Sequence, residues 1–319
     1  MNDIRKNTKD GMVDIKIVGI GGGGNNVLNN LIEMGVENAD FIALDTDAEK
    51  LTSSLATHKI LIGENFTCGD GTEKGSSIGE YAAKVSYGDI VKAIKGADMV
   101  LVLACMGGGT GTGAAPIVAS CAREAGALTM AIATKPFSLE GTKRCETANA
   151  GLDILINNAD SSIVVESDRV WSIIEDNTTI NDAFVILNKI IPRLVRVITN
   201  YVKPSDIINM DFACMKSMLK DSGRAIIGVG EADGENAILT ATKNAMGLDG
   251  GVCVQDAGVI LMNVVGNSPN LIDLREASEA VKEVSRSKVE IICNVMEDKT
   301  MEDKIIVTLL ASKFGNYMD

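Results

Sequence analysis

The apolar residues of the chain fall into short runs separated by longer amphipathic stretches. Runs at 15–20, 99–104 and 128–134 are bounded by glycine or polar residues, which is typical of buried strands. Between such runs, apolar residues recur at the spacing of a helix that is buried on one side. Strands that alternate with helices predict an α/β domain with a mostly parallel sheet covered on both faces.

This alternation extends over residues 14–176, which we predict to form one nucleotide-binding domain of Rossmann-like architecture. Residues 1–13 are polar and are expected to form a disordered leader. The predicted strands are 15–20, 39–44, 59–62, 99–104, 128–134 and 162–165. The predicted helices cover about 27–34, 79–95, a stretch after Gly113 with Pro116 near its first turn, and 144–157.

A long helical pattern at 177–203 separates this domain from the rest of the chain. We interpret it as a central helix buried between two domains, with a kink at Pro192 because proline lacks the N–H that a helix requires. Its apolar positions are Phe184, Leu187, Ile190, Ile191, Leu194, Ile198 and Tyr201.

After residue 203 strands and helices recur in a different arrangement, which predicts a smaller α+β domain over 204–316. The predicted strands are 225–229, 259–265, 289–295 and 304–310. The predicted helices begin near Asn209 and cover 235–246 and 271–287.

Composition excludes several functions. The formal net charge of −13 and the aromatic content of 3% argue against binding to nucleic acid. No apolar run reaches the roughly 18 residues of a membrane span, and the polar N-terminus lacks the apolar core of a signal peptide. We therefore expect a cytoplasmic protein without direct membrane insertion. The seven cysteines show no metal-binding spacing, so no metal is expected from protein side chains alone.

The glycine-rich stretch Gly107–Gly113 follows the strand at 99–104 and precedes a helix. A strand, a glycine loop and a helix N-terminus together bind phosphate, because bare N–H groups and the helix dipole both favour an anion. A flexible surface loop is the alternative. The interleaved Thr110 and Thr112 argue against it, since a linker does not need hydroxyl groups between glycines.

A second stretch, Gly21–Asn26, also follows a strand and precedes a helix. Alone it could be a dinucleotide-binding turn, with an acidic residue of Asp45–Asp47 on the ribose. A second phosphate loop at 107–113 is not part of that scheme, so an NAD-dependent oxidoreductase is the weaker alternative.

The loop Gly107–Gly113 resembles the signature loop of the tubulin/FtsZ family. Three further segments resemble family motifs in the same order, and the resemblance covers about residues 14–312, nearest to the FtsZ branch. They are Gly21–Asn26, the ribose segment Lys135-Pro136-Phe137 with Glu140, Gly141 and Arg144, and the synergy loop Asn209-Met210-Asp211-Phe212-Ala213.

The resemblance implies a GTPase of bacterial cell division that binds GTP or GDP, with Mg²⁺ carried by the nucleotide. Its filaments grow head to tail, and the neighbouring subunit completes hydrolysis through its synergy loop, here Asn209 and Asp211. Another FtsZ or division proteins are further implied partners. The implied nucleotide-binding residues are Gly22, Gly23, Gly24, Asn25, Asn26, Gly107, Gly108, Gly109, Thr110, Gly111, Thr112, Gly113, Glu140, Arg144, Phe184 and Asn188.

Departures from the family pattern cluster on the implied site. Cys214 replaces a synergy-loop aspartate, and a neutral thiol polarises water poorly, so hydrolysis is expected to be weak. A non-hydrolysing scaffold, or a modulator of another FtsZ, is therefore the alternative function. Asn188 replaces a base-reading aspartate, Ser167 replaces an asparagine, and Lys74 stands in the γ-phosphate loop beside Glu73.

Three of these roles have structural alternatives. Glu140 and Arg144 are four residues apart and could form only a surface ion pair, which stabilises a helix by a few tenths of a kcal/mol. Asp211 could simply cap the helix that begins there. Lys74, likewise, could contact phosphate or only pair with Glu73.

Overall fold

The computed structural model describes residues 13–69, 71–72, 75–168, 179, 191–192, 194–196, 198–199, 212–247, 252–285 and 288–314. The chain divides into two compact units, residues 1–199 and 200–319. Several predictions fall outside the described residues: the leader up to residue 12, most of the central helix, Glu73, Lys74, Phe184, Asn188, Asn209 and Asp211.

The N-terminal unit contains a parallel sheet, as predicted. Its strands lie side by side in the order β3-β2-β1-β4-β5-β6, and each neighbouring pair among them runs parallel. The strands are β1 (Ile15–Ile20), β2 (Asp40–Asp45), β3 (His58–Leu61), β4 (Met99–Cys105), β5 (Leu128–Lys135) and β6 (Ser161–Glu166).

Helices cover this sheet because its strands are apolar on both faces. Ala115, Val118 and Leu152 from the helices pack with Val102 and Ala131 of the strands in one buried cluster. The helices are α1 (Gly21–Glu33), α2 (Ala48–Thr52), α3 (Glu64–Thr67), α4 (Ser76–Val85), α5 (Tyr87–Ile94), α6 (Gly109–Glu124) and α7 (Thr142–Asn158).

The order of the strands places a crevice at one edge of the sheet. Strand β1 lies between β2 and β4, and Ile20 at its end is level with Leu44 and with Ala104. From β1 the chain continues to β2 on one side, whereas from β4 it continues to β5 on the other side. Ligands of open α/β sheets bind where the strand order reverses in this way.

Three helix boundaries differ from the prediction. Helix α1 begins at Gly21 rather than near Val27, and α6 begins at Gly109, so Pro116 lies inside α6 and not in its first turn. The segment predicted as one helix over 79–95 is two helices, α4 and α5. Glycine is intrinsically a poor helix former, and here close packing on neighbouring elements overrides that preference.

The C-terminal unit contains a mixed sheet in the order β7-β10-β8-β9, which confirms the predicted α+β class. Strand β10 is antiparallel to β7 and β8, and β9 is parallel to β8. The elements are α8 (Phe212–Leu219), β7 (Gly223–Asp233), α9 (Ala237–Gly247), α10 (Val252–Gln255), β8 (Val259–Gly266), α11 (Leu271–Val284), β9 (Glu290–Glu297) and β10 (Lys304–Ser312).

Part of the predicted central helix is described. Residues 191–192, 194–196 and 198–199 are helical, and Ile191, Leu194 and Ile198 are buried, as their spacing predicted. Among the helices that the structure describes, none combines the length and the apolar character that crossing a membrane requires.

Candidate functional site

Two helix N-termini meet at the crevice between the ends of β1 and β4. Gly21 turns the chain into α1 with φ of +69°, and a Cβ atom there would lie 2.9 Å from the amide nitrogen of Gly111 in α6. Neither helix has an acidic residue in its first turn. The first-turn N–H groups of a helix lack intrahelical partners and favour an anion. The crevice therefore has the backbone geometry of a phosphate site.

Threonine hydroxyl groups tie the start of α6 to two neighbouring loops. The Thr110 hydroxyl lies 2.7 Å from that of Thr46, after β2, and 3.0 Å from that of Thr72. Thr112 is buried, and its hydroxyl oxygen accepts a hydrogen bond of 2.8 Å from the Gly107 N–H. Thr112 thus shapes the loop from within, while Thr110 stands at a junction of three segments.

Gly107 and Gly108 form the turn between β4 and α6. Gly107 has φ of +95°, and a Cβ there would lie 2.8 Å from Cγ of Arg144. A Cβ at Gly108 would have no atom within 4 Å. The backbone of Gly108 is consequently open to a ligand, whereas that of Gly107 is held by its neighbours.

Asn25, predicted to line the nucleotide, is 3% exposed. Its Nδ2 donates to the carbonyl oxygen of Leu44 at 3.3 Å and to Oδ2 of Asp45 at 3.4 Å. Asn26, the next residue, is exposed. The amide of Asn25 therefore joins α1 to the end of β2, whereas Gly22 and Gly23 are half-exposed.

A cation that the sequence reasoning missed lies beside α1. Nζ of Lys50 pairs with Oδ2 of Asp47 at 3.0 Å, and a Cβ at Gly22 would lie 3.2 Å from Cδ of Lys50. The hydrogen bond to Asp47 raises the pKa of Lys50, so the side chain stays charged. The sequence could have indicated this ion pair, because Lys50 lies in a short helix that starts directly after the acidic end of β2.

The other end of the crevice carries the Glu140–Arg144 ion pair, with Nε of Arg144 3.0 Å from Oε2 of Glu140. Oε1 of Glu140 also accepts a hydrogen bond of 2.8 Å from the Phe137 N–H. The surface pair expected as an alternative is thus present, and it lies beside Gly107 of the phosphate loop.

Next to this ion pair, a cleft of about 250 Å³ opens at the ends of β5 and β6. It is lined partly by Lys135, Ser138, Ser167 and Asp168. The hydroxyl of Ser167 donates to the carbonyl oxygen of Lys135 at 2.5 Å, so Ser167 holds the two strand ends together.

Comparison with known families identifies this arrangement. Residues 14–175 match the family model "Tubulin/FtsZ family, GTPase domain", and residues 223–315 match "FtsZ family, C-terminal domain". This chain belongs to the tubulin/FtsZ family. Members of the family bind GTP or GDP and are GTPases.

Solved structures of family members agree with this assignment. An empty FtsZ dimer from M. jannaschii is 34% identical, with a TM-score of 0.87 over 95% of this chain and 89% of that chain. CetZ2 from Haloferax volcanii, in a GTPγS-bound protofilament, is 19% identical, with a TM-score of 0.81 over 95% of this chain and 94% of that chain. The second match shows the fold alone.

The structure describes the end of the segment predicted to form a synergy loop, from Phe212 onward. Cys214 lies in the first turn of α8 and is half-buried, and its carbonyl oxygen accepts a hydrogen bond from the Ser217 hydroxyl at 2.8 Å. Across the described parts of the chain, no three His, Cys, Asp or Glu side chains are grouped to hold a metal ion.

Proposed function

We propose that this chain binds GTP and GDP in the crevice between β1 and β4. The observation that carries this proposal is the convergence of the N-termini of α1 and α6, with Gly21 against Gly111 and an open backbone at Gly108. In this proposal the backbone of Gly107–Gly113 binds the phosphates, Glu140 and Arg144 contact the ribose, and Phe184 and Asn188 contact the base. Mg²⁺ enters with the nucleotide and supplies charge neutralisation at the phosphates.

Binding tests this proposal directly. Fluorescent GTP and GDP analogues are titrated against the chain, with ATP and NAD as competitors. We expect guanine nucleotides to bind and NAD not to compete. Protection against thermal unfolding by NAD, without protection by GTP, would contradict the proposal and favour a dinucleotide enzyme.

We further propose that the chain assembles head to tail and completes GTP hydrolysis at the contact between subunits. Self-association is supported by the FtsZ dimer among the similar structures. It is also supported by large apolar side chains in exposed positions. Leu139, beside the Glu140–Arg144 pair, is 62% exposed, and Leu271 and Ile272 at the start of α11 are 73% and 62% exposed.

Sedimentation with GTP, GDP and ATP tests assembly. Leu139→Ser should reduce the pelleted fraction strongly without loss of nucleotide binding, because it removes apolar contact area at the edge of the site. Ile154→Ser is the matched control, since Ile154 is 54% exposed on α7. Equal pelleting of both variants would contradict a contact through Leu139.

A role in bacterial cell division, at the division site in the cytoplasm, is the cellular setting that we propose.

The second candidate function is a nucleotide-binding scaffold or modulator of another FtsZ that hydrolyses little GTP. Cys214 favours it, because a thiol at a carboxylate position neither accepts strongly from water nor attracts a cation. Phosphate release should rise about tenfold or more in Cys214→Asp. Asparagine has the shape of aspartate without its charge, so Cys214→Asn should not show this rise. Rapid phosphate release from GTP by the native chain would exclude the non-hydrolysing scaffold function.

A further inference from the structure

Asp45, the last residue of β2, and Thr46, which follows it, have no role in the nucleotide binding proposed above. Asp45 is 2% exposed and Thr46 is 0% exposed. Side chains this deeply buried do not line the crevice, so neither contacts a bound nucleotide. Their hydrogen bonds nevertheless reach three segments beside the crevice: α1, the loop at 71–72 and the first turn of α6.

Each polar group of Thr46 is bonded to a different part of the chain. Its N–H donates to Oδ1 of Asp45 at 2.8 Å, and its carbonyl oxygen accepts from the Gly71 N–H at 3.2 Å. Its hydroxyl lies 2.7 Å from that of Thr110, in the first turn of α6. Thr46 thus connects the end of β2 with the loop at 71–72 and with the helix N-terminus.

Asp45 completes this connection on the side of α1. Its Oδ1 also accepts from the Asp47 N–H at 3.3 Å, and its Oδ2 accepts from Nδ2 of Asn25 at 3.4 Å. An ionised carboxylate can only accept hydrogen bonds. Together with the Leu44 carbonyl oxygen, which accepts from the same Nδ2 at 3.3 Å, it therefore fixes which end of the Asn25 amide points toward β2.

We propose that Asp45 and Thr46 are positioning residues that hold the N-termini of α1 and α6 in register for nucleotide binding. This inference rests on the proposed GTP site. It assigns a binding role to two side chains that do not touch the ligand: Asp45 acts through Asn25 and the Thr46 N–H, and Thr46 acts through the Thr110 hydroxyl.

The physical reason is the geometry of an anion site built from backbone N–H groups. Such donors stabilise a phosphate only when they all point at it, and a small displacement of one helix weakens several hydrogen bonds together. The Thr46–Thr110 bond joins residues 64 positions apart in the chain. It consequently restrains the position of the first turn of α6 relative to β2.

Thr46→Val tests the inference, because valine keeps the shape and removes the hydroxyl. Titration with fluorescent GTPγS and GDP should show affinity about fivefold weaker, the effect of one lost hydrogen bond of roughly 1 kcal/mol. Thr46→Ser retains the hydroxyl and should bind within twofold of the native chain. This rescue by serine separates positioning from a loss of packing, and thermal unfolding checks that both variants are folded.

Asp45→Asn provides a second and independent measurement. It keeps an acceptor for the Thr46 N–H and places an NH₂ group against Nδ2 of Asn25, so we expect about threefold weaker binding. Because Asp45→Asn acts on α1 through Asn25 and Thr46→Val acts on α6 through Thr110, the double variant should lose about the product of the two single losses, roughly fifteenfold. No loss in either folded single variant would overturn the inference.

Nucleotide binding by the native chain distinguishes failure of the proposed GTP site from failure of the positioning role. If the native chain binds neither guanine nucleotide, the proposed function fails. If the native chain binds them and Thr46→Val, folded, binds equally well, only the positioning role of Asp45 and Thr46 fails. Should Thr46→Val not fold, the comparison of Asp45→Asn with the native chain decides in the same way.

Discussion

The two glycine-rich helix starts differ in how they use glycine. In α1, Gly23 and Gly24 let the helix lie directly on β4: a Cβ at Gly23 would be 2.7 Å from Sγ of Cys105, and one at Gly24 would collide with the Leu103 carbonyl oxygen. In α6, Gly109 and Gly113 allow similar close packing against the loop at 71–72 and against α4. Only α6 adds threonine hydroxyls between its glycines, and these bond to the neighbouring segments.

This difference shows that most glycines of the two stretches serve packing. All of these glycines are among the described residues, and Gly108 alone would have open space around an added Cβ. Glycine at Gly24 is therefore required by the protein itself, whereas glycine at Gly108 is required only if a ligand approaches. Substitutions at the two positions should separate stability from binding.

The largest expected effect is that of Gly24→Ala. The added methyl group would overlap the carbonyl oxygen of Leu103, which belongs to a central strand and cannot move without disturbing the sheet. Overpacking of this kind lowers the free energy of unfolding by about 1–3 kcal/mol. We expect Gly24→Ala to lie at the upper end of this range when unfolding is measured in urea.

Gly88→Ala is the control for this experiment. Gly88 lies in α5, and an added Cβ there would have no atom within 4 Å. It should raise the free energy of unfolding by up to about 1 kcal/mol, because alanine restricts the unfolded chain. A Gly24→Ala variant as stable as the native chain would show that α1 can shift away from β4.

Gly108→Ala should have a smaller effect, confined to binding. Its φ of −93° is accessible to alanine, so the free energy of unfolding should change by less than about 0.5 kcal/mol. The methyl group would occupy open space in the turn where we propose that phosphate binds, and we expect GTP affinity to fall about tenfold in a fluorescence titration. Unchanged affinity would mean that the phosphates lie elsewhere, and Gly88→Ala again serves as the control.

Much of this architecture could be predicted from the sequence. The central strands β1, β4 and β5 follow from short, mainly apolar runs, because a strand buried on both faces must be apolar along most of its length. The position of the crevice followed as well, since the glycine stretches that begin at Gly21 and Gly107 follow two of those strands. The family motifs then supplied the proposed ligand.

The contacts that organise the crevice could not be predicted in this way. Helices beginning at Gly21 and Gly109 contradict local propensity, and only the packing partners explain them. The bond between Thr46 and Thr110 joins distant segments, and nothing in either sequence neighbourhood indicates it. Asp45 had been interpreted only as a ribose ligand of the alternative dinucleotide site, whereas the structure buries it against Asn25.

The smallest expected effect concerns the pH dependence of stability at Asp45. Burial raises the pKa of Asp45 above its ordinary 3.8. The hydrogen bonds from the Thr46 and Asp47 N–H groups and the charge of Lys50 lower this pKa, but their combined effect is smaller than that of burial. The folded chain then binds this proton more tightly than the unfolded chain, so the contribution of Asp45 to stability decreases as pH rises from about 3.8 through its raised pKa. Asp45→Asn removes this titration. The free energy of unfolding of the variant, measured in urea and relative to the native chain, should therefore increase as pH rises above about 4 and level off once pH exceeds the raised pKa of Asp45. Other titrating groups act in both proteins and cancel, and a constant difference over this range would show that Asp45 has the same pKa in the folded and unfolded chains.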